Sequence, residues 1–193
     1  MKILEENCMG PAFRYGDAHL YLMLDCLMRE DHASRLRLTE VTGLGEGSVR
    51  SLIRMLRKWG LIDTARRGTS ITDAGRRVYS QLNMRLVDCC CEAYATGEYQ
   101  CGVIIRDLAK DVTDGLCQRD TAVRNGADGA TVFVMRDGKV VFPGDIVMDE
   151  AYPDFAEGLR AAGMAEGDVF MLVGAATEAA ARCAAAATGV ALL

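Results

Sequence analysis

Residues 37–75 read RLTEVTGLGEGSVRSLIRMLRKWGLIDTARRGTSITDAG, and the periodicity of this stretch decides how the chain begins. Val49, Leu52, Ile53 and Leu56 recur at helical spacing and would bury one face of a helix. Arg50, Arg54 and Arg57 stand at i, i+4 and i+7 and form one stripe on its wet side, with Ser48, Ser51 and Lys58 beside them. Guanidinium groups in a row suit phosphate oxygens and guanine edges. Before this helix, Gly43-Leu44-Gly45 supplies a turn whose glycines tolerate positive φ, with Leu44 as a plug into the core. After it, Gly60 is placed to stop the helix as a left-handed cap. Leu61–Thr64 and Ser70–Thr72 read as two short strands joined by a tip containing Arg66-Arg67-Gly68. Thr72 then caps a further helix, with Asp73 in its first turn.

Helix, glycine turn, arginine-faced helix and basic hairpin, in that order, spell a winged helix-turn-helix. Asp17–Arg29 supplies the preceding amphipathic helix, with Leu20, Leu24, Leu27 and Met28 as core candidates, and Leu36–Thr42 the one after it. Across Asp17–Leu82 the chain resembles prokaryotic winged-helix transcriptional regulators, and LGEGSVR, RKWGLI and ITDAG are similar to archaeal members. The resemblance implies a recognition helix at Glu46–Trp59 and a wing at Ile62–Ile71. The expected contacts to double-stranded DNA are Ser48, Arg50, Ser51, Arg54, Arg57, Lys58, Arg66 and Arg67. Of these, Arg50, Ser51 and Arg54 would read bases, and Arg66 and Arg67 would engage phosphate or the minor groove.

The charge distribution agrees with a basic module joined to an acidic one. Within residues 35–77 there are 10 Lys and Arg against 4 Asp and Glu, whereas residues 98–193 hold 8 against 15, within a total of −5. At 193 residues the chain fits two small domains or one of middling size, and the expected division is 1–83 for the winged helix and 84–193 for an α/β effector-sensing or dimerising domain. Met1–Gly10 carries Glu5 and Glu6 and lacks the apolar run of a signal peptide. The alanine-rich tail is interrupted by Glu178 and Arg182 and suits a buried helix better than a membrane anchor. A cytoplasmic protein is expected, with no membrane association.

Beyond Met84 the pattern changes. Arg85–Cys91 can continue the preceding helix or begin a strand, periodicity not settling it, and the strand is the preferred reading; Gly102–Ile105 reads as a buried strand and Val112–Arg124 as a helix. Thr131–Met135 and Lys139–Phe142 flank Arg136-Asp137-Gly138, a tight-turn hairpin signal. Tyr152–Ala162 with Phe155 and Leu159 reads as a helix, Asp168–Val173 as a strand, Thr177–Ala187 as a helix and Gly189–Leu193 as a final strand. The fold class expected is α+β: an N-terminal winged helix-turn-helix followed by a mixed α/β sandwich. This half also has the look of the C-terminal domain of an uncharacterised archaeal winged-helix family, which implies no particular ligand. Its candidate effector contacts are Arg119, Asp120, Arg124, Gly126 and Gly129, where a helix ends and turns through two glycines into a strand.

Eight cysteines without a secretory signal argue for reduced thiols. Cys89, Cys90 and Cys91 with nearby Cys101 offer a soft-metal or redox arrangement, but buried cysteine is also an ordinary small hydrophobe, and no metal or cofactor is expected. Gly43–Gly47 does not follow a strand, so it is not a dinucleotide loop. Walker, His-Glu-x-x-His and Gly-x-Ser-x-Gly motifs are absent, and both histidines, His19 and His32, lie in the basic half. No catalytic residue and no enzymatic activity are expected. The leading expectation is a homodimeric transcriptional regulator with a small-molecule effector, reading inverted half-sites roughly 34–36 Å apart. The alternatives are a winged-helix module for protein contacts in a larger assembly, or a regulator fused to a small enzyme domain.

Overall fold

The computed structural model describes residues 15–89, 91–94, 96–143 and 146–193. The opening segment Met1–Gly10 and Cys90 therefore lie outside the described residues. The chain divides into two compact units, Met1–Leu82 and Asn83–Leu193.

The first unit runs α1 (Asp17–Arg29), α2 (Arg35–Thr42), α3 (Glu46–Lys58), β1 (Ile62–Ala65), β2 (Gly68–Ile71) and α4 (Asp73–Gln81). Residues Leu20 to Leu27 of α1 are all buried, so the helix expected to be amphipathic is enclosed around most of its circumference, while Met28, a core candidate, is only partly buried. Asp25 is buried among them. It accepts a hydrogen bond of 2.6 Å from the Tyr79 hydroxyl and pairs with Arg29 at 3.1 Å, which compensates its removal from water. Burial, more than the neighbouring Tyr21 and Asp25, pushes the Tyr79 hydroxyl well above its ordinary pKa.

Gly43 closes α2 in the left-handed conformation at φ 65, and Ser34 caps its start by accepting from the Arg37 amide at 3.1 Å. Leu44 is buried, and Val49, Leu52 and Leu56 of α3 are fully enclosed. Ile53, expected among them, is only partly buried: it packs on the rim of that core. Gly60 turns the chain at φ 72, and the Thr72 hydroxyl accepts from the Gly75 amide at 3.1 Å to start α4.

The wing has a strand partner that local patterning does not announce. Ala33, in the loop before α2, exchanges two backbone hydrogen bonds of 2.9 Å with Thr69 of β2. A Cβ at Gly68 would lie 2.7 Å from the Ala33 carbonyl oxygen, and Gly68 has φ 129, so glycine is required there on both counts.

The second unit contains β3 (Met84–Val87), β4 (Tyr99–Ile105), α5 (Leu116–Arg124), β5 (Gly129–Arg136), β6 (Lys139–Phe142), β7 (Ile146–Val147), α6 (Met148–Ala151), α7 (Pro153–Ala161), β8 (Val169–Ala175) and α8 (Glu178–Leu192). One antiparallel sheet has the order β3-β4-β8-β5-β6-β7. On one face Ile104, Phe133, Phe170 and Leu172 pack with Ala156 and Leu159 of α7. On the other, α8 lies across β3, β4 and β8, and α5 packs beside it on β5. The result is the mixed α/β sandwich, with helices on both faces of the sheet.

Three local expectations are corrected by this packing. Gly189–Leu193 is not a strand, because α8 continues through Gly189 to Leu192. Alanine favours the helix, and at Gly189 it runs so close to the sheet that a Cβ would come 2.4 Å from Met84 Cε. The strand expected over Arg85–Cys91 ends at Val87. The helix expected from Val112 starts at Leu116, because Gly115 adopts φ 76 ahead of it and residues Ala109–Asp111 form a separate 3-10 turn. The hairpin turn has positive φ at both Asp137 and Gly138, the combination a two-residue primed turn requires. Glu166 clamps it by accepting from both amides at 3.0 and 2.9 Å.

Candidate nucleic-acid interface

Between α3 and the wing lies an open cleft of about 350 Å³. Arg50, Ile53, Arg54 and Arg57 line it from α3, Thr64, Ala65, Gly68 and Thr69 from the wing, and Arg35 from the first turn of α2. The buried side of α3 aims these groups. With Val49, Leu52 and Leu56 locked into the core, a rotation of 100° per residue carries Arg50, Arg54 and Arg57 to the opposite side. The wing is held against the same unit by the Ala33–Thr69 pairing, so both walls of the cleft are built on hydrogen-bonded backbone.

Four guanidinium groups thus share one concave surface. The nearest acidic group is Asp63 of β1, whose Oδ1 lies 3.9 Å from Arg57 Nε, a long contact between two exposed side chains. Among the described residues, Arg35, Arg50 and Arg54 form no ion pair. Such a surface concentrates positive potential.

The expected contact residues divide into three groups. Arg50, Arg54 and Arg57 meet in the cleft. Arg66 and Arg67 occupy the two-residue tip of the wing, exposed and outside the cleft. Ser48 and Ser51 are half-buried on the flank of α3, and Ser51 shares a 3.2 Å hydrogen bond with the Tyr15 hydroxyl. Lys58 is exposed at the end of the helix. Arg35 is a cleft residue that the pattern of α3 could not disclose. The available signal was Ser34, a capping residue that places Arg35 at the first position of α2.

In the second unit, Arg119, Asp120 and Arg124 are exposed along α5, and Gly126 sits in an exposed turn at φ 93. Gly129 is buried at the start of β5, where a Cβ would lie 3.0 Å from Thr96 Cβ. The structure therefore separates Gly129, a packing position, from the exposed residues of α5. Cys89 and Cys91 lie beyond β3 and pack with the α7 side of the sheet, whereas buried Cys101 points to the α8 side. Among the described residues no three His, Cys, Asp or Glu side chains group as metal ligands. Burial pushes the Cys26 thiol up to about 11 and raises that of Cys183, which keeps both protonated. Among the described residues no helix is long and apolar enough to cross a membrane.

Residues 96–192, half of the chain, match the family described as a domain of unknown function, DUF4443. The chain belongs to the DUF4443 family. Residues 21–88 match a second family, described as wHTH-PRTase associated, which spans the helices and wing that form the cleft. Among solved structures, a hypothetical protein, PH0730, from Pyrococcus horikoshii OT3 is similar over 93% of both chains, with a TM-score of 0.75 and 24% identity. That likeness is one of fold. No curated protein matches the chain. The DUF4443 match covers β4 to α8 and so nearly all of the sandwich, and the arginine cleft lies wholly within the other match.

Proposed function

We propose that this DUF4443 protein is a sequence-specific transcriptional regulator whose N-terminal winged helix binds double-stranded DNA. The observation that carries the reading is the convergence of Arg35, Arg50, Arg54 and Arg57 on one cleft, with Asp63 the one carboxylate among the described residues that pairs with any of them, at 3.9 Å from Arg57. A helix presenting three arginines fits the major groove, with Ile53 beside them for a thymine methyl group. Arg66 and Arg67, two residues beyond the cleft, would reach the flanking backbone. The C-terminal sandwich serves as the self-associating or effector-sensing part, and no catalytic step is assigned to the chain.

A contact module for another protein is the second reading. Leu36, 68% exposed, and Trp59, 42% exposed, favour it, since interface cores are enriched in such side chains. Titration of labelled duplexes at several salt concentrations distinguishes the two. A DNA regulator should show log K falling with log salt at a slope of about −3 or steeper, from several neutralised phosphates. Absence of duplex binding at low salt would reject the DNA reading and leave the protein-contact one.

A further inference from the structure

We infer that the arginine cleft selects guanine: Arg50 and Arg54 each read one guanine at its major-groove edge, so the preferred duplex carries two guanines no more than about two base steps apart. The inference rests on the DNA-binding reading and names the class of sequence that the site takes. α3 brings Arg50, Ile53, Arg54 and Arg57 to the cleft, and the wing brings Thr64 and Thr69. A guanidinium carries donors and no acceptor. Guanine is the base that offers such a fork two neighbouring acceptors, N7 and O6, whereas adenine sets its N6 amino donor beside N7 and opposes the second N–H. Adenine is matched by the carboxamide of Asn or Gln, and cytosine by a carboxylate. Neither Asn nor Gln occurs in α3, and among the described residues no Asn, Gln, Asp or Glu lines the cleft. The Ser51 hydroxyl, which can accept as well as donate, is shared with Tyr15.

Position within the cleft separates the base-reading arginines from the others. A recognition helix meets base edges with its N-terminal part, while the helix before it crosses the phosphate backbone. Arg35, at the first position of α2, therefore falls on phosphate. Arg57 lies in the last turn of α3, beside Asp63. Arg50 and Arg54 come earlier in the helix, both exposed, and among the described residues neither forms an ion pair. A spacing of four residues sets them about 6 Å apart along the helix axis and about 40° apart around it. Base pairs stack at about 3.4 Å. The two forks therefore reach guanines about two steps apart when α3 follows the groove, and closer together when it crosses at an angle. Each fork takes its own base, because one bidentate contact fills both acceptors of a guanine edge.

The test offers the full chain a library of random duplexes, and the best selected duplex is resynthesised with 7-deazaguanine, which pairs normally but lacks N7, at each guanine in turn. Two guanines within about two steps of each other should each show a penalty of roughly fivefold to a hundredfold in Kd. Hypoxanthine at the same positions lacks only the minor-groove amino group and should change Kd by less than about twofold. Arg50→Ala should erase the 7-deazaguanine penalty at one of the two positions and Arg54→Ala at the other, with circular dichroism confirming that both variants are folded. Duplex binding that selects no such guanine pair, or that is indifferent to 7-deazaguanine, would overturn the inference and leave the DNA-binding reading standing. Penalties that persist in both variants would overturn it as well. Absence of duplex binding at low salt would instead reject the DNA reading itself, and this inference with it.

Discussion

Arg57 Nε at the end of α3 and Asp63 Oδ1 on β1 stand 3.9 Å apart, within reach of each other but not in close contact. Asp63 is 72% exposed and also accepts from the Thr64 amide at 2.7 Å. It is an acidic group on an otherwise cationic surface, and a phosphate approaching Arg57 meets its repulsion. Asp63→Asn should therefore tighten binding to all duplexes by about twofold to fivefold at low salt, an effect that fades as ionic strength screens it. An anisotropy titration checks this, and weaker binding by the variant would mean that Asp63 instead holds Arg57 in its productive position.

Arg50 and Arg54 line the cleft, whereas Arg66 and Arg67 form the wing tip. Arg50→Ala or Arg54→Ala should cost roughly 1–3 kcal/mol on the preferred site and reduce discrimination against scrambled duplexes. Arg66→Ala and Arg67→Ala should weaken all duplexes evenly, each lost phosphate contact flattening the salt slope by about 0.9. Uniform losses in all four variants would remove base reading from α3.

Ser51 faces Tyr15, away from the cleft, although its position in α3 suggested a part in base reading. Ser51→Ala should lower unfolding stability by about 0.5–1.5 kcal/mol through the lost hydrogen bond. Its ratio of specific to scrambled binding should equal that of the wild type. A changed ratio with unchanged stability would return Ser51 to the DNA contact set.

The Asp149 carboxylate beside β6 has a defined acid response. Partial burial disfavours its charge, but the Val140 amide, donating at 2.9 Å, and the paired Arg160 outweigh burial and hold its pKa below the ordinary carboxylate value. A lowered folded value contributes stability that is complete above the unfolded pKa of about 4 and is lost as pH falls through the folded value. Denaturant midpoints should therefore separate the wild type from Asp149→Asn at neutral pH, and the gap should close below about pH 4. A gap independent of pH would assign the loss to shape rather than charge.

Two glycines of the first unit should respond oppositely to alanine. A Cβ at Gly75 would lie 2.1 Å from the Leu61 carbonyl oxygen and 2.7 Å from Ile71 Cγ1, so Gly75→Ala must push α4 from the wing, at a cost of about 3 kcal/mol or more. Gly47, in α3, has nothing within 4 Å of its Cβ position, and Gly47→Ala should gain about 0.5 kcal/mol from helix propensity. Thermal melts of the two variants read both signs at once.

What the order of residues determined by itself was every feature that depends on neighbours a few positions apart. Val49, Leu52 and Leu56 announce the buried side of α3, and therefore the side on which Arg50, Arg54 and Arg57 emerge. Gly43, Gly60 and the pair Asp137-Gly138 announce their turns, because positive φ is a property of single residues. Tertiary structure decided whatever depends on distant partners. Thr69 pairs with Ala33 across more than thirty residues, and that pairing seats the wing beside the arginines. Arg35 enters the cleft from another helix, and Ser51 leaves it to meet Tyr15. Gly189 continues a helix because that helix is pressed onto Met84 and Val103, where local signals had suggested a strand. The sheet order β3-β4-β8-β5-β6-β7 places β8 between β4 and β5, a choice made by the burial of Phe133, Phe170 and Leu172 in one layer. Local patterns record torsional preference and one-sided hydrophobicity, while the choice among equally apolar partners is settled only when the whole core packs.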